Sequence, residues 1–397
     1  MRYDLVFEGG GAKGMVFAGA MQELEAQGHS FGRLLGTSAG SITAALLASG
    51  AGATGLLNAL GEKDGDRSVF EGFMATPAPF TEEELQRSAL GELLANIDIP
   101  LVGDALEAKI DAALVRALMS RPLFRSMFSF IELGGWYASH RLAEWMTERL
   151  DAGQVNGQPV KMGKLNLRQM YEVTGVDLSV VATDTTNASL LILNHRTAPD
   201  VPVVNAVHMS MSIPLLWQEV RWRREWGLYR GEDLAGASIV DGGVLSNFPL
   251  ELFVSDEPQV IELMGPPDAD DVLGLLIDEE LAVPGLSVEA TDEEPQRRDL
   301  GQRRTAERLK RLIDTVVMAR DKLVVDAFEH LVVRLPAKGI GVTEFNLSDA
   351  RRAVLTVAGR EAMRAHLARR AEVTADDPGT LMQAAGKMAS RLVQARR

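Results

Sequence analysis

Gly36-Thr37-Ser38-Ala39-Gly40 decides how the rest of the chain is read. Residues 31–35 before it form a short, mostly apolar run and predict a strand. Residues 41–48 after it hold no breaker and predict a helix. A serine in a G-x-S-x-G turn between strand and helix is the setting of a nucleophile. The glycines lack a Cβ, so the turn can tighten until Ser38 is pushed out of the fold. The following helix aims free N–H groups and its positive end at the serine. Such a serine attacks a carbonyl if a base takes its proton and donors hold the oxyanion. The same five residues also suit an ordinary turn built from small side chains.

The 397 residues allow one large domain or two ordinary ones, and 46% hydrophobic residues suffice for a sizeable core. With 41 basic against 55 acidic residues the net charge is −14. That disfavours nucleic acid as a general partner and gives no overall attraction to an anionic membrane. There are no cysteines, which removes disulfides, thiolate chemistry and cysteine-bound metals. No signal-peptide pattern precedes the first apolar run. No stretch stays apolar for the ~20 residues a spanning helix needs. The expectation is a cytoplasmic protein without a transmembrane segment.

A second glycine cluster lies one strand earlier. Residues 3–7 predict a strand, residues 15–27 a helix stopped by Gly28, and between them stands Glu8-Gly9-Gly10-Gly11-Ala12-Lys13-Gly14. The loop fits G-x-G-x-x-G, but the dinucleotide fingerprint wants an acid at the end of the next strand, where Gly36-Thr37-Ser38 stands instead. The phosphate-loop spacing is absent. Consecutive glycines can also converge their N–H groups on one oxygen. An oxyanion hole is the reading that uses both clusters.

Further along, residues 48–66 read as a glycine-rich loop, and Thr81 starts a largely helical stretch over 85–150. Within it, 123–137 reads as a core helix, or as an apolar rim over a greasy substrate. A strand at 178–183 is followed by a neighbour at 190–193 and a helix at 204–212. Arg and Trp interleave over 217–226, but Glu219 and Glu225 dilute the charge, and an exposed antiparallel strand is predicted. A strand at 237–240 delivers Asp241-Gly242-Gly243 to the open rim of a parallel sheet, where ligands bind in such folds. Residues 260–264 predict a strand, 265–296 an acidic, proline-rich loop, 305–331 an amphipathic helix and 332–335 a strand. Helices are predicted from Ser348 to about 370 and over 381–397.

A base for Ser38 would ordinarily be histidine. None of the six (His29, His140, His195, His208, His330 and His366) lies in a recognisable catalytic context. Asp241 does, and it can accept the serine proton directly if burial raises its pKa.

Together the glycine loop 9–14, the elbow 36–40 and Asp241-Gly242-Gly243 resemble, in order and spacing, the motifs of patatin-like phospholipases. Ser210-Met211-Ser212-Ile213-Pro214 and Asn247-Phe248-Pro249 are similar to supporting stretches of that family. Glu8 departs from the pattern, standing where many members carry aspartate. The resemblance implies a three-layer α/β/α fold, a mostly parallel sheet and a Ser-Asp dyad. Ser38 would be nucleophile and Asp241 general base. The loop Gly9, Gly10 and Gly11 would form the oxyanion hole, supported by Lys13, with Gly14, Gly36, Gly40, Gly242 and Gly243 as motif glycines. The implied reaction is hydrolysis of lipid esters at a membrane surface through an acyl-enzyme, with no metal or cofactor; an activator protein stays an open matter. The expected domains are 4–252, catalytic with a helical insertion at about 80–150, and 253–397, mainly helical with one closing strand. The alternatives are a Ser-His-Asp esterase using His330 or His366, or a binding protein that keeps the scaffold without catalysis.

Overall fold

The structure, a computed structural model, describes residues 1–89, 92, 117, 119–286, 324–341, 344 and 347–372. Parts of the helices predicted over 85–150 and 305–331, and all of that at 381–397, lie outside the described residues.

An eight-stranded sheet organises the chain. Its strands are β1 (Arg2–Phe7), β2 (Ser30–Thr37), β3 (Leu178–Asp184), β4 (Ser189–Leu193), β5 (Val220–Arg221), β6 (Ser238–Asp241), β7 (Asp271–Ala282) and β8 (Val332–Lys338). The order is β5-β6-β3-β2-β1-β7-β8, with β4 paired to β3. The β3-β2-β1-β7-β8 run is parallel, whereas β4 and β6 pair antiparallel with β3.

Side chains alternate across a strand, so the sheet divides the core into two layers. Leu5 and Phe7 of β1 face one cluster, packed by α1 (Met15–Ala26), α2 (Ala39–Ala48), α3 (Gly52–Leu60), α5 (His140–Asp151), α6 (Val203–Met211) and α8 (Asp349–Glu372). Val6 faces the other, with Leu35, Val181, Phe248, α7 (Pro258–Met264) and residues 324–331. The expected three-layer α/β/α arrangement is the one observed.

Several local expectations are corrected. Residues 48–66 hold α3, whose Ala53, Leu56, Ala59 and Leu60 bury one face at helical spacing; the surrounding glycines hid that period. Residues 260–264 lie in a helix, because Pro258 starts it and Val260, Leu263 and Met264 bury one stripe. The loop predicted over 265–296 contains β7, which inserts between β1 and β8 and is buried from Leu273 to Ile277. The C-terminal region therefore adds two strands to the sheet, not one. The Arg-Trp stretch is no exposed strand: β5 is two residues long, and Trp217, Trp222 and Trp226 are buried. Indole N–H groups of Trp217 and Trp222 donate to Phe73 O at 2.9 Å and Gly227 O at 3.1 Å. The helix α4 (Pro122–Glu132) is no core helix, since Leu123 is 58% and Ile131 53% exposed.

Candidate active site

The site forms where two strands meet end to end. β4 covers one edge of β3 from Val180 to Asp184. On the other edge β2 pairs as far as Thr37 opposite Val181, and β6 takes over with Asp241 opposite Ala182. β2 rises and β6 descends, so their last residues stand one register row apart, roughly 3.3 Å along the strand. Asp241 thus reaches the site on an antiparallel strand coming down from the rim, not on a parallel strand rising to it.

Ser38 occupies a strained elbow. Its φ is +50° and ψ −123°, a region that costs a non-glycine residue about 1–3 kcal/mol. Ser41 N and Oγ donate to Ser38 O at 2.8 and 2.6 Å, and Ser38 N donates to Ser210 Oγ at 2.9 Å. A Cβ on Gly36 would overlap the Gly40 carbonyl, and one on Gly40 would overlap the Phe7 carbonyl. Both glycines are thus required by close backbone approach. Ser38 Oγ faces Met211 Sδ at 3.7 Å.

Asp241 is 4% exposed. Its N–H donates to Ser212 O at 2.9 Å, and its Oδ1 accepts from Gly243 N at 2.8 Å. Oδ2 is buried without a hydrogen-bond partner among the described residues. Burial pushes the carboxyl pKa up to about 7, with the Ser38 side chain and the Gly243 N–H pulling weakly the other way. No cation among the described residues pairs with it. A carboxylate of that pKa is a far better base at neutral pH than an exposed aspartate. Gly242 packs against the Val181 carbonyl and Gly243 against Asn247. The C-terminal end of α6 steadies both groups, Ser210 and Met211 touching Ser38 and Ser212 holding the Asp241 backbone.

The glycine loop lies alongside. Gly9 packs on Ser38 Cβ and Gly10 on the Ile277 side chain. Gly11 has φ +56° and opens a 3-10 turn to Gly14. The Gly9 N–H is already donated to Asn247 O at 3.3 Å, which leaves the Gly10 and Gly11 N–H groups as the loop's candidates for an oxyanion. Gly14 has room for a Cβ, so contact alone does not demand glycine there. Lys13 is 1% exposed and is ion-paired with Glu279 of β7, so it braces the loop. Glu8 Oε2 accepts from Ile277 N at 2.6 Å and Oε1 from Asn247 Nδ2 at 3.2 Å. Asn247 Nδ2 also donates to Gly9 O at 2.9 Å. The Glu8–Ile277 and Lys13–Glu279 braces depend on β7, which sequence reading missed; in the sequence alone Glu8 and Asn247-Phe248-Pro249 read only as flanking the motifs.

The histidines stand elsewhere. His330 comes just before β8, where burial lowers its pKa and Arg370 and Asp271 lie within electrostatic reach. Burial pushes the His366 pKa down to about 4, with Arg370, Arg369 and His330 acting in the same direction. Asp271 opens β7 at the end of the parallel strands opposite Ser38, so both candidates of the Ser-His-Asp alternative belong there. His29 contacts Met1 and Tyr3, and His195 lies by Asp177, at that same end. His140 opens α5. His208 lies on α6, but its ring is hydrogen-bonded to Ser139 Oγ, and burial pushes its pKa down to about 4.

A pocket of about 460 Å³ of empty space, open solvent at its mouth included, lies beside the site. Gly11, Ala12, Ala39 and Met211 line its near side, and Ile42, Leu60 and Phe70 are among its apolar walls. Among the described residues no helix is long and apolar enough to cross a membrane.

Comparison with known proteins places these features. The family model described as patatin-like phospholipase matches residues 5–254. The uncharacterized protein YqhO of Bacillus subtilis (strain 168) is 24% identical over 373 residues, 91% of this chain and 96% of its own. The probable lipid hydrolase 463L of Invertebrate iridescent virus 6 is 21% identical over 121 residues, 30% of this chain and 36% of its own. Among solved structures, VipD from Legionella pneumophila aligns with a TM-score of 0.47 at 17% identity, over 92% of this chain and 67% of that one. The ExoU-SpcU complex from Pseudomonas aeruginosa aligns with a TM-score of 0.40 at 17% identity, over 98% of this chain and 58% of the matched one.

Proposed function

This chain belongs to the patatin-like phospholipase family, and from that premise we propose that it is a serine lipid acyl hydrolase working through a Ser38–Asp241 dyad. The observation that carries the reading is a buried carboxylate with its pKa near 7, one register row from Thr37, which leads directly into a serine held at positive φ whose side chain interacts with that carboxylate.

Asp241 Oδ2 takes the Ser38 proton as Oγ attacks the ester carbonyl. The carbonyl oxygen becomes an oxyanion and receives the N–H groups of Gly10 and Gly11, with the N-terminus of α2 adding its positive end. Collapse of the tetrahedral species returns the proton to the leaving alcohol and leaves an acyl group on Ser38. Water then attacks the acyl-enzyme, Asp241 accepts its proton, and a second collapse releases the fatty acid as Asp241 returns the proton to Ser38 Oγ. The backbone is in place before substrate arrives, so the oxyanion is met by donors that need not reorganise.

The test is lipid mass spectrometry of phospholipid and neutral-lipid mixtures incubated with wild type, Ser38→Ala and Asp241→Asn. Release of fatty acid by wild type alone is expected. Undiminished release by folded Ser38→Ala would sink the proposal. Failure of a fluorophosphonate to label Ser38 would favour a scaffold that only binds.

A further inference from the structure

Among the described residues that line the pocket beside Ser38, only Ser68 and Arg352 have polar side chains, and only Arg352 carries a charge. Arg352 comes from the first turn of α8, far along the chain from the motif residues, and is 6% exposed. Its Nη1 donates to Gly61 O at 2.9 Å. Among the described residues no carboxylate lies within ion-pair distance of it; Asp349, one turn earlier, bonds Lys63 at 2.6 Å and feels the Arg352 charge only through the field. A guanidinium offers five N–H donors in a planar fork. Among the described residues only the Nη1 end of the fork is hydrogen-bonded, so the rest of it can receive an anion that enters the pocket.

The pocket joins this cation to the nucleophile. Its near side includes Ala39, directly after Ser38, and Met211, whose sulfur faces Ser38 Oγ. Its far side brings Leu60, Ser68, Leu347 and Arg352 together. We propose that this pocket selects esters that carry an oxyanion, phosphate or carboxylate, gripped by the Arg352 fork while the hydrocarbon part packs on Met15, Ile42, Leu60 and Phe70. The inference rests on the hydrolase reading and adds a selectivity residue that lies outside the family match at 5–254.

Two matched ester pairs test it. One pair is phosphatidic acid and diacylglycerol with the same chains, in mixed detergent micelles; the other is p-nitrophenyl hydrogen glutarate and p-nitrophenyl valerate. A preference for the anionic member in the first pair identifies phosphate, and in the second carboxylate. Arg352→Met should lower that kcat/KM preference about ten- to a hundredfold, the range of a charged hydrogen bond. Arg352→Lys should restore part of it, since a point charge replaces the fork. Equal preference in wild type and Arg352→Met, or none in wild type, overturns the proposal. Binding of decyl phosphate and decanol to wild type and to Ser38→Ala, by calorimetry, reads the pocket without turnover and without an Arg352 variant. Phosphate binding tenfold tighter or more is expected, and equal binding overturns the proposal. If all four esters stay inert while decyl phosphate binds preferentially, the hydrolase reading fails and the anion site stands.

Discussion

Asp4 and Asp241 are both aspartates on strands of one sheet, 1% and 4% exposed, yet they live in opposite circumstances. Asp4, near the start of β1, accepts from Arg33 N and Nε at 2.7 Å each. The Arg33 guanidinium goes on to donate to Gly265 O at 2.9 Å and lies over the Phe253 ring, 4.2 Å from its centroid. Asp241 has one backbone N–H, a serine and, among the described residues, no cation. The difference is what separates a carboxylate that holds a fold from one that can move a proton. Burial drives the unpaired Asp241 carboxyl to hold a proton near neutrality, whereas Asp4 is tied to its place by the Arg33 fork.

The largest effect should come from the reactive end. Ser38→Ala should lower kcat by at least about 10⁴-fold, and Asp241→Asn by about 10²–10⁴-fold, in ester assays on protein whose circular dichroism is unchanged. At the paired end, Asp4→Ala strands the Arg33 charge. It should destabilise by about 3–5 kcal/mol in urea unfolding, while the folded fraction keeps its turnover. Loss of turnover without loss of stability there would break the contrast. Asn247→Ala releases the Gly9 clamp and should lower kcat about tenfold to a hundredfold, with KM little changed; a rise in KM alone would deny it a positioning role. The pH dependence is the finest test. The base works ionised, so kcat/KM should rise with pH through an apparent pKa of about 7. Stability should run the other way. Between about pH 4 and pH 7 the folded carboxyl binds a proton that the unfolded chain's does not, so this carboxyl's own contribution to stability falls as pH rises, against the buried His208 and His366, whose lowered pKa values work in the opposite direction. Asp241→Asn should abolish that loss and melt at a higher temperature at pH 8; equal melting at pH 8 would mean the carboxyl carries no burial penalty.

The sequence made the two ends of this contrast unequally legible. Ser38, Asp241 and their glycines are local patterns, and the turns they predict are found in place. β1, β2, β3 and α6 were readable because their apolar runs are clean and bounded. Arg33 and Asp4 gave no signal, since an ion pair between neighbouring strands leaves no spacing rule. β7 was lost because Pro266, Pro267 and a run of aspartates before it look like a loop, although 273–277 is a buried apolar run. With β7 went Glu279 and the Ile277 amide, and so the bracing of the glycine loop was invisible. The Arg-Trp stretch misled because alternation in sequence was taken for exposure, while the indoles are buried.

β7 has a further consequence for anyone who dissects the chain. The family match stops at residue 254, and a cut there looks natural. It would strip the partner from β1 between Tyr3 and Phe7 and leave an unprotected strand edge in the middle of the sheet. Bare edges of that kind invite pairing with other molecules. A protein trimmed to its recognisable motifs should therefore precipitate, with every motif residue still present.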